Sequence, residues 1–163
     1  MNLDSLTKLY VHELKDLYSA EKQLVEALPK MITAASNKDL KKALKDHLAD
    51  TRRQVQRLDK VFARTEYSPR GHKCEGMEGL IKEGASILKE DSDPDVLDAA
   101  IIAAAQRVEH YEMAGYGVAR TYAEKLGDYK AADLLQESLE EEAQADRLLS
   151  RLAERTINFQ AMV

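Results

Sequence analysis

Four long stretches of this chain repeat apolar residues at alternating intervals of three and four, the period of an amphipathic helix. No other feature constrains the fold so tightly, because such a stripe is buried only against other packed elements. The first segment, about 3–35, carries Leu3, Leu6, Tyr10, Leu14 and Leu17, then Leu24, Leu28 and Met31. Pro29 lies inside it and predicts a bend. The second, about 38–65, follows Ser36 and Asn37, either of which can cap free backbone amides. Its stripe runs Leu40, Leu44, His47, Leu48, Leu58, Val61 and Phe62. The third takes Asp93 as its cap and Pro94 as its first helical residue, and runs to about Leu126 before Gly127. The fourth starts at Asp128 and carries Leu134, Leu135, Leu139, Leu148, Leu149 and Leu152.

The links sort these segments. Only a few residues separate the first from the second and the third from the fourth, so each pair is expected to be an antiparallel hairpin. The middle link is nearly thirty residues long. It contains the turn-rich "EYSPRGHKCEG" and a short helix of its own, about 77–89. These lengths predict an all-α, ferritin-like four-helix bundle, with two hairpins joined by a long crossover that carries an extra helix. An up-down-up-down bundle with a decorated loop satisfies the same lengths.

A chain of 163 residues suits one domain, taken as 1–163, and is long enough to bury a real core. The apolar fraction of 44% excludes a disordered chain. A net charge of −5 argues against non-specific nucleic-acid binding. Cys74 is the single cysteine, which rules out an internal disulfide framework. No signal peptide is visible in "MNLDSLTKLY" and no apolar run reaches membrane-spanning length, so a soluble cytoplasmic protein is expected.

The stripes contain acids where leucines belong. Glu21 completes the spacing of Leu17, Leu24 and Leu28. Glu112 does so between Val108 and Gly115, with Glu109 one turn earlier, and Asp50 falls between His47 and Gln54. In the fourth segment Glu141 and Glu142 lie on two equally good stripes. Glu21 to Asp50 is 29 residues, as is Glu112 to Glu141, and each residue of the first pair lies 91 before its counterpart. This spacing reads as a duplicated hairpin and selects Glu141. Several carboxylates buried together are costly unless something neutralises them. No Lys or Arg occupies these stripes, so metal ions are the expected neutralising groups, and hard cations prefer such oxygen ligands.

The stretches "YSAEKQLVEALPKM", "HLADTRRQVQRL", "KCEGMEGLIKEG", "VEHYEMAGYGVARTYAEKLGD" and "LLQESLEEEAQADRLL" cover nearly the whole chain. In that order they resemble the YciE/YciF family of bacterial stress-induced proteins. The resemblance implies a ferritin-like fold, a homodimer, expression under stress and a dinuclear metal centre. Its acidic pattern falls on Glu21, Asp50, Glu109, Glu112 and Glu141, with Glu142 beside the last. The family's His-Leu-x-Glu-Thr is "HLADT" here, so Asp50 stands where a glutamate is expected. The Glu-x-x-His pairs of the wider superfamily are absent, since Arg53 follows Asp50 and Gln144 follows Glu141 at that spacing. His47 is then the one nitrogen ligand expected on the seam.

Other polar residues have plainer readings. "HKC" at 72–74 reads as loop, and Asp146 as a residue supporting the site. Arg53, Arg57, Lys60 and Arg64 read as a surface row facing Glu137 and Glu140, or a second subunit. Tyr18, Tyr111, Tyr116 and Tyr122 read as packing residues whose hydroxyls find polar partners. Two functions follow. One is a carboxylate-bridged pair of iron or manganese ions reacting with dioxygen or peroxide. The other is a metal-free structural or adaptor bundle acting through protein partners.

Overall fold

Each long helix begins where a short polar side chain takes amides that a first turn leaves unpaired. In the computed structural model, which describes residues 3–162, Ser5 caps α1 (Leu6–Ala34) and Asn37 caps α2 (Lys38–Phe62). Asp93, with Pro94 behind it, opens α4 (Pro94–Lys125), and Asp128 opens α5 (Tyr129–Leu152). The ends of the expected domain, Met1, Asn2 and Val163, lie outside the described residues. Helix α1 runs unbroken through Pro29 but starts later than its stripe suggested, leaving Leu3 and Leu6 exposed. Gly127, at φ 81°, makes the left-handed turn that separates α4 from α5. Past Leu152 the chain continues through a π-helical turn, Ala153–Ile157, into a last short helix, α6 (Asn158–Gln160).

The crossover traverses the bundle, which decides between the two topologies. At one end, buried Asp98 near the start of α4 accepts from the backbone amides of Ser36 and Asn37, at 2.8 and 2.7 Å. At the other, Arg64 just past α2 binds Asp128 at the start of α5, at 2.6 Å. The end of α2 and the beginning of α4 therefore lie at opposite ends. Helices α2 and α4 run parallel, as in a ferritin-like bundle.

Midway, the crossover is pinned by α3 (Glu75–Ile87). This helix starts two residues earlier than expected because Cys74 caps it, accepting from the Met77 amide. The Cys74 thiol is fully buried and bonds to Asp16 and Tyr111, each at 3.0 Å, while Tyr111 donates to Asp16 at 2.6 Å. Burial pushes this thiol up to about 11, so it is a structural donor rather than a nucleophile. "HKC" is thus loop, as expected, but loop that is tied down.

The apolar core is in two blocks. One gathers Leu24, Leu28, Leu44, Met77 and Ile101 near the α1–α2 turn. The other gathers Leu14, Leu17, Leu58, Phe62 and Leu135 at the opposite end. Between them lies a belt of buried polar side chains from all four long helices. No described helix is long and apolar enough to cross a membrane.

Candidate metal centre

The belt arises because polar residues occupy seam positions at mid-helix. Glu21 sits among buried Leu17, Leu24 and Leu28 on α1, and is itself fully buried. Helix α4 brings Glu109 and Glu112 inward together, 1% and 0% exposed, since residues three apart lie about one turn apart on a face. Helix α2 presents His47, Thr51 and Gln54, at intervals of four and three. Helix α5 presents Ser138 and Glu142. Close approach of α1 and α4 depends on Gly115, where a Cβ would stand 2.8 Å from a Leu17 methyl.

Ligand atoms of His47, Glu109, Glu112 and Glu142 all lie within 4.8 Å of one another. His47 Nε2 is 3.4 Å from Glu109 Oε1, yet it makes no hydrogen bond. Glu21 stands alongside, its Oε1 taking the hydroxyl proton of buried Tyr116, while Gln54 Nε2 donates to Glu142 Oε1. The remaining valences are open. Both oxygens of Glu112 and one each of Glu21, Glu109 and Glu142 are buried without a partner. Burial raises the carboxyls of Glu21, Glu109 and Glu112 well above the usual range, and the charge of neighbouring carboxylates adds to it, while at Glu21 hydrogen bonds to Tyr116 and Glu112 pull partly back.

Asp50 and Glu141 are not in this group. Asp50 is half-buried and engaged by Arg53 from the next turn. Glu141 takes both ends of the Arg57 guanidinium, at 2.9 and 3.1 Å, and a Gln54 amide hydrogen at 3.0 Å. Arg57 also binds Ser138 and Glu137 and is only 7% exposed. A buried arginine is therefore present, contrary to expectation, and it neutralises Glu141 at the rim rather than the carboxylates within. Arg53, Lys60 and Arg64 are exposed, as expected of a surface row, but Arg53 pairs with Asp50 and Arg64 with Asp128 rather than with Glu137 or Glu140. Asp146 accepts from Gln106 at 2.9 Å and lies 3.3 Å from exposed His110.

On α5, Leu135, Ser138, Glu142 and Leu149 are buried, while Leu134, Glu141 and Leu148 are only partly so. The helix is turned by one residue from the stripe the repeat selected. The repeat itself pairs like with like, for Asp50 and Glu141 are both rim positions. One residue further along, the buried pair at the same offset is Thr51 and Glu142. Thr51 was not named from sequence and Gln54 only as a neighbour of Asp50, although their four-and-three spacing after His47 marks both as seam residues.

Three carboxylates and one imidazole converge here with unfilled valences, and Glu21 lies beside them. The group could hold a metal ion.

Residues 5–162 match a protein family described as a domain of unknown function, DUF892. The chain belongs to this family. It is 45% identical over 162 residues to Escherichia coli (strain K12) protein YciF, covering 99% of this chain and 98% of that one. The crystal structure of that stress protein superposes with a TM-score of 0.92 over 95% of this chain and 98% of YciF. A Rhodopseudomonas palustris protein, YcfI, described as a candidate structural protein, is 44% identical. Its TM-score is 0.88 over 91% of this chain and 95% of its own. A Xanthomonas campestris protein at 19% identity and TM-score 0.77 shares the fold. The resemblance carried by the helix motifs is therefore a family relationship, and the family includes a bacterial stress protein.

Proposed function

We propose that this protein holds a carboxylate-bridged pair of iron or manganese ions and meets dioxygen or peroxide during stress. The observation that carries this is the buried group of His47, Glu109, Glu112 and Glu142, with Glu21 beside it, most of their inward atoms unpartnered. Ionised, these four carboxylates balance two divalent cations, and leaving them unbalanced costs several kcal/mol per charge. Bound ions would supply Lewis acidity and electrons to a small oxidant. The chain's own residues do the rest. Tyr116 and Gln54 fix the orientation of Glu21 and Glu142, and the two apolar blocks on either side exclude water. A homodimer and a cytoplasmic location belong to the same proposal, as the family resemblance implies.

A second reading is a metal-free structural bundle. It draws on the paired carboxyls, Glu21 against Glu112 and Glu109 against Glu142, each able to share a proton. Metal analysis by plasma mass spectrometry separates the two. Tag-free protein from iron- and manganese-supplemented cultures is expected to carry about two ions per chain. The Glu21→Ala, Glu112→Ala double variant should lose them while staying helical. Absence of metal after anaerobic loading with ferrous iron would establish the structural reading instead. Light scattering tests the dimer.

A further inference from the structure

A ligand group sealed inside a bundle needs a way in. Between α2 and α5 the surface opens into a cleft of about 460 Å³, lined on the α2 side by Ala43, Asp46, His47 and Asp50. The α5 side supplies Glu141, Gln144, Ala145 and Leu148, with two guanidiniums, Arg147 and Arg151. Below it lies a second, much smaller cavity of about 10 Å³, room for about one water. It is lined by Glu109 and by four residues shared with the cleft, Ala43, His47, Ala145 and Leu148. Leu44 and Leu149 complete the lining of the small cavity, so the four shared side chains connect the cleft with a space that Glu109 also lines. His47 is common to the cleft, the small cavity and the buried group, is 5% exposed, and has no hydrogen bond at Nε2.

We propose that this cleft is the route by which divalent metal ions reach the buried carboxylates, with His47 as the first ligand they meet inside. The inference rests on the metal-binding reading above. The lining favours an ion over a neutral gas, because a hydrated cation must exchange waters for donors stepwise as it enters. Asp46, Asp50 and Glu141 offer oxygens at the mouth and His47 offers nitrogen at the floor. The mouth does not attract cations strongly. Lys42, Arg53 and Arg57 pair with its three carboxylates, and Arg147 and Arg151 stand on its wall. Passage is therefore set by the width between Ala43, Ala145 and Leu148 and by the swing of the His47 ring. Two alanines at this point leave the opening, and a larger side chain at either would close it.

The test uses cobalt(II) added to the metal-free full-length protein. Its absorption bands report carboxylate and imidazole coordination, and uptake is followed by stopped flow. Ala145→Leu and Ala43→Leu should each slow uptake at least tenfold while reaching the wild-type stoichiometry after overnight loading. Leu148→Ala, which widens the passage, should speed uptake severalfold, and Ala114→Leu on an exposed face of α4 should leave it unchanged. If the plugged variants load as fast as wild type, the route is wrong and the metal centre stands. If wild type binds no cobalt at all, both fall. Should a plugged variant bind less metal at equilibrium, the Leu148→Ala rate decides alone, and no acceleration there overturns the route.

Discussion

Glu112 offers the sharpest test of the idea that the belt exists for metal rather than for stability. No amide, hydroxyl or cationic donor reaches either of its buried carboxyl oxygens, and its neighbours are the carboxyls of Glu21, Glu109 and Glu142. Replacing it with methionine keeps the side-chain length and helix propensity and removes the polar head. A buried unpaired polar group costs about 1–3 kcal/mol. Exchanging buried, poorly satisfied polar groups for apolar ones of similar shape is nearly neutral or stabilising. We therefore expect Glu112→Met to stabilise the metal-free protein by about 2 kcal/mol, raising Tm by about 4–8 °C for a chain of this size. With metal present the order should invert, because wild type gains about 2.7 kcal/mol at a hundredfold excess over Kd and the variant does not. Scanning calorimetry with chelator and then with manganese reads both halves. A metal-free variant melting several degrees below wild type would show that the Glu112 carboxyl stabilises the fold by itself, and the reasoning would fail.

The same raised carboxyls set a pH slope. Glu21, Glu109 and Glu112 hold protons in the fold that the unfolded chain releases near about pH 4.3, so their stabilisation is complete below that pH and is lost as pH rises toward their raised values. Metal-free wild type should melt lower at about pH 8 than at about pH 5.5, and Glu112→Met should show the shallower slope in the same scans. Arg57→Ala removes the cation that balances Glu137 and Glu141 and should cost about 3 kcal/mol in urea unfolding, whereas Arg53→Ala, on an exposed guanidinium, should cost less than about 0.5. Asp98→Ala removes the buried carboxylate that accepts from two backbone amides and the Ser36 hydroxyl, and should cost about 2–3 kcal/mol in the same assay. Burial opposes ionisation of Asp16, but hydrogen bonds from Tyr111, Cys74 and His72 outweigh it and hold its carboxyl below the usual range. Its contribution is present above about pH 3.9 and is lost on further acidification, so the deficit of Asp16→Asn should be largest near neutrality and shrink below about pH 4.

The architecture was readable because helix stripes, caps and link lengths are local properties. Asp93, Pro94 and Asp128 mark boundaries through their own side chains, and a link of nearly thirty residues has to go somewhere. The phase of α5 is a different kind of quantity. Stripes through Glu141 and through Glu142 are equally apolar, and the choice between them is made by the neighbour, where Arg57 reaches across from α2 to hold Glu141 at the rim. Burial of Arg57 follows from that same contact, so a reading of one helix at a time places it on the surface. Tyr116 on Glu21 and Cys74 on Asp16 join residues 95 and 58 positions apart. Nothing along the chain announces such pairs. Glu21, Glu109 and Glu112 were legible for the opposite reason, because a carboxylate in place of a leucine is conspicuous in its own helix.

The two hairpins no longer match at the position where α2 carries Thr51 and α5 carries Glu142. If the group holds two ions, their coordination spheres cannot be equivalent. One would draw on His47, Glu109 and Glu142, and the other on Glu21, which is already committed through one oxygen to Tyr116. Loading would then proceed in two steps of unequal affinity, and under metal scarcity the singly loaded protein would be the prevailing species. A titration that fits one affinity for both ions would mean that the lost symmetry of the halves had been restored by the ions themselves.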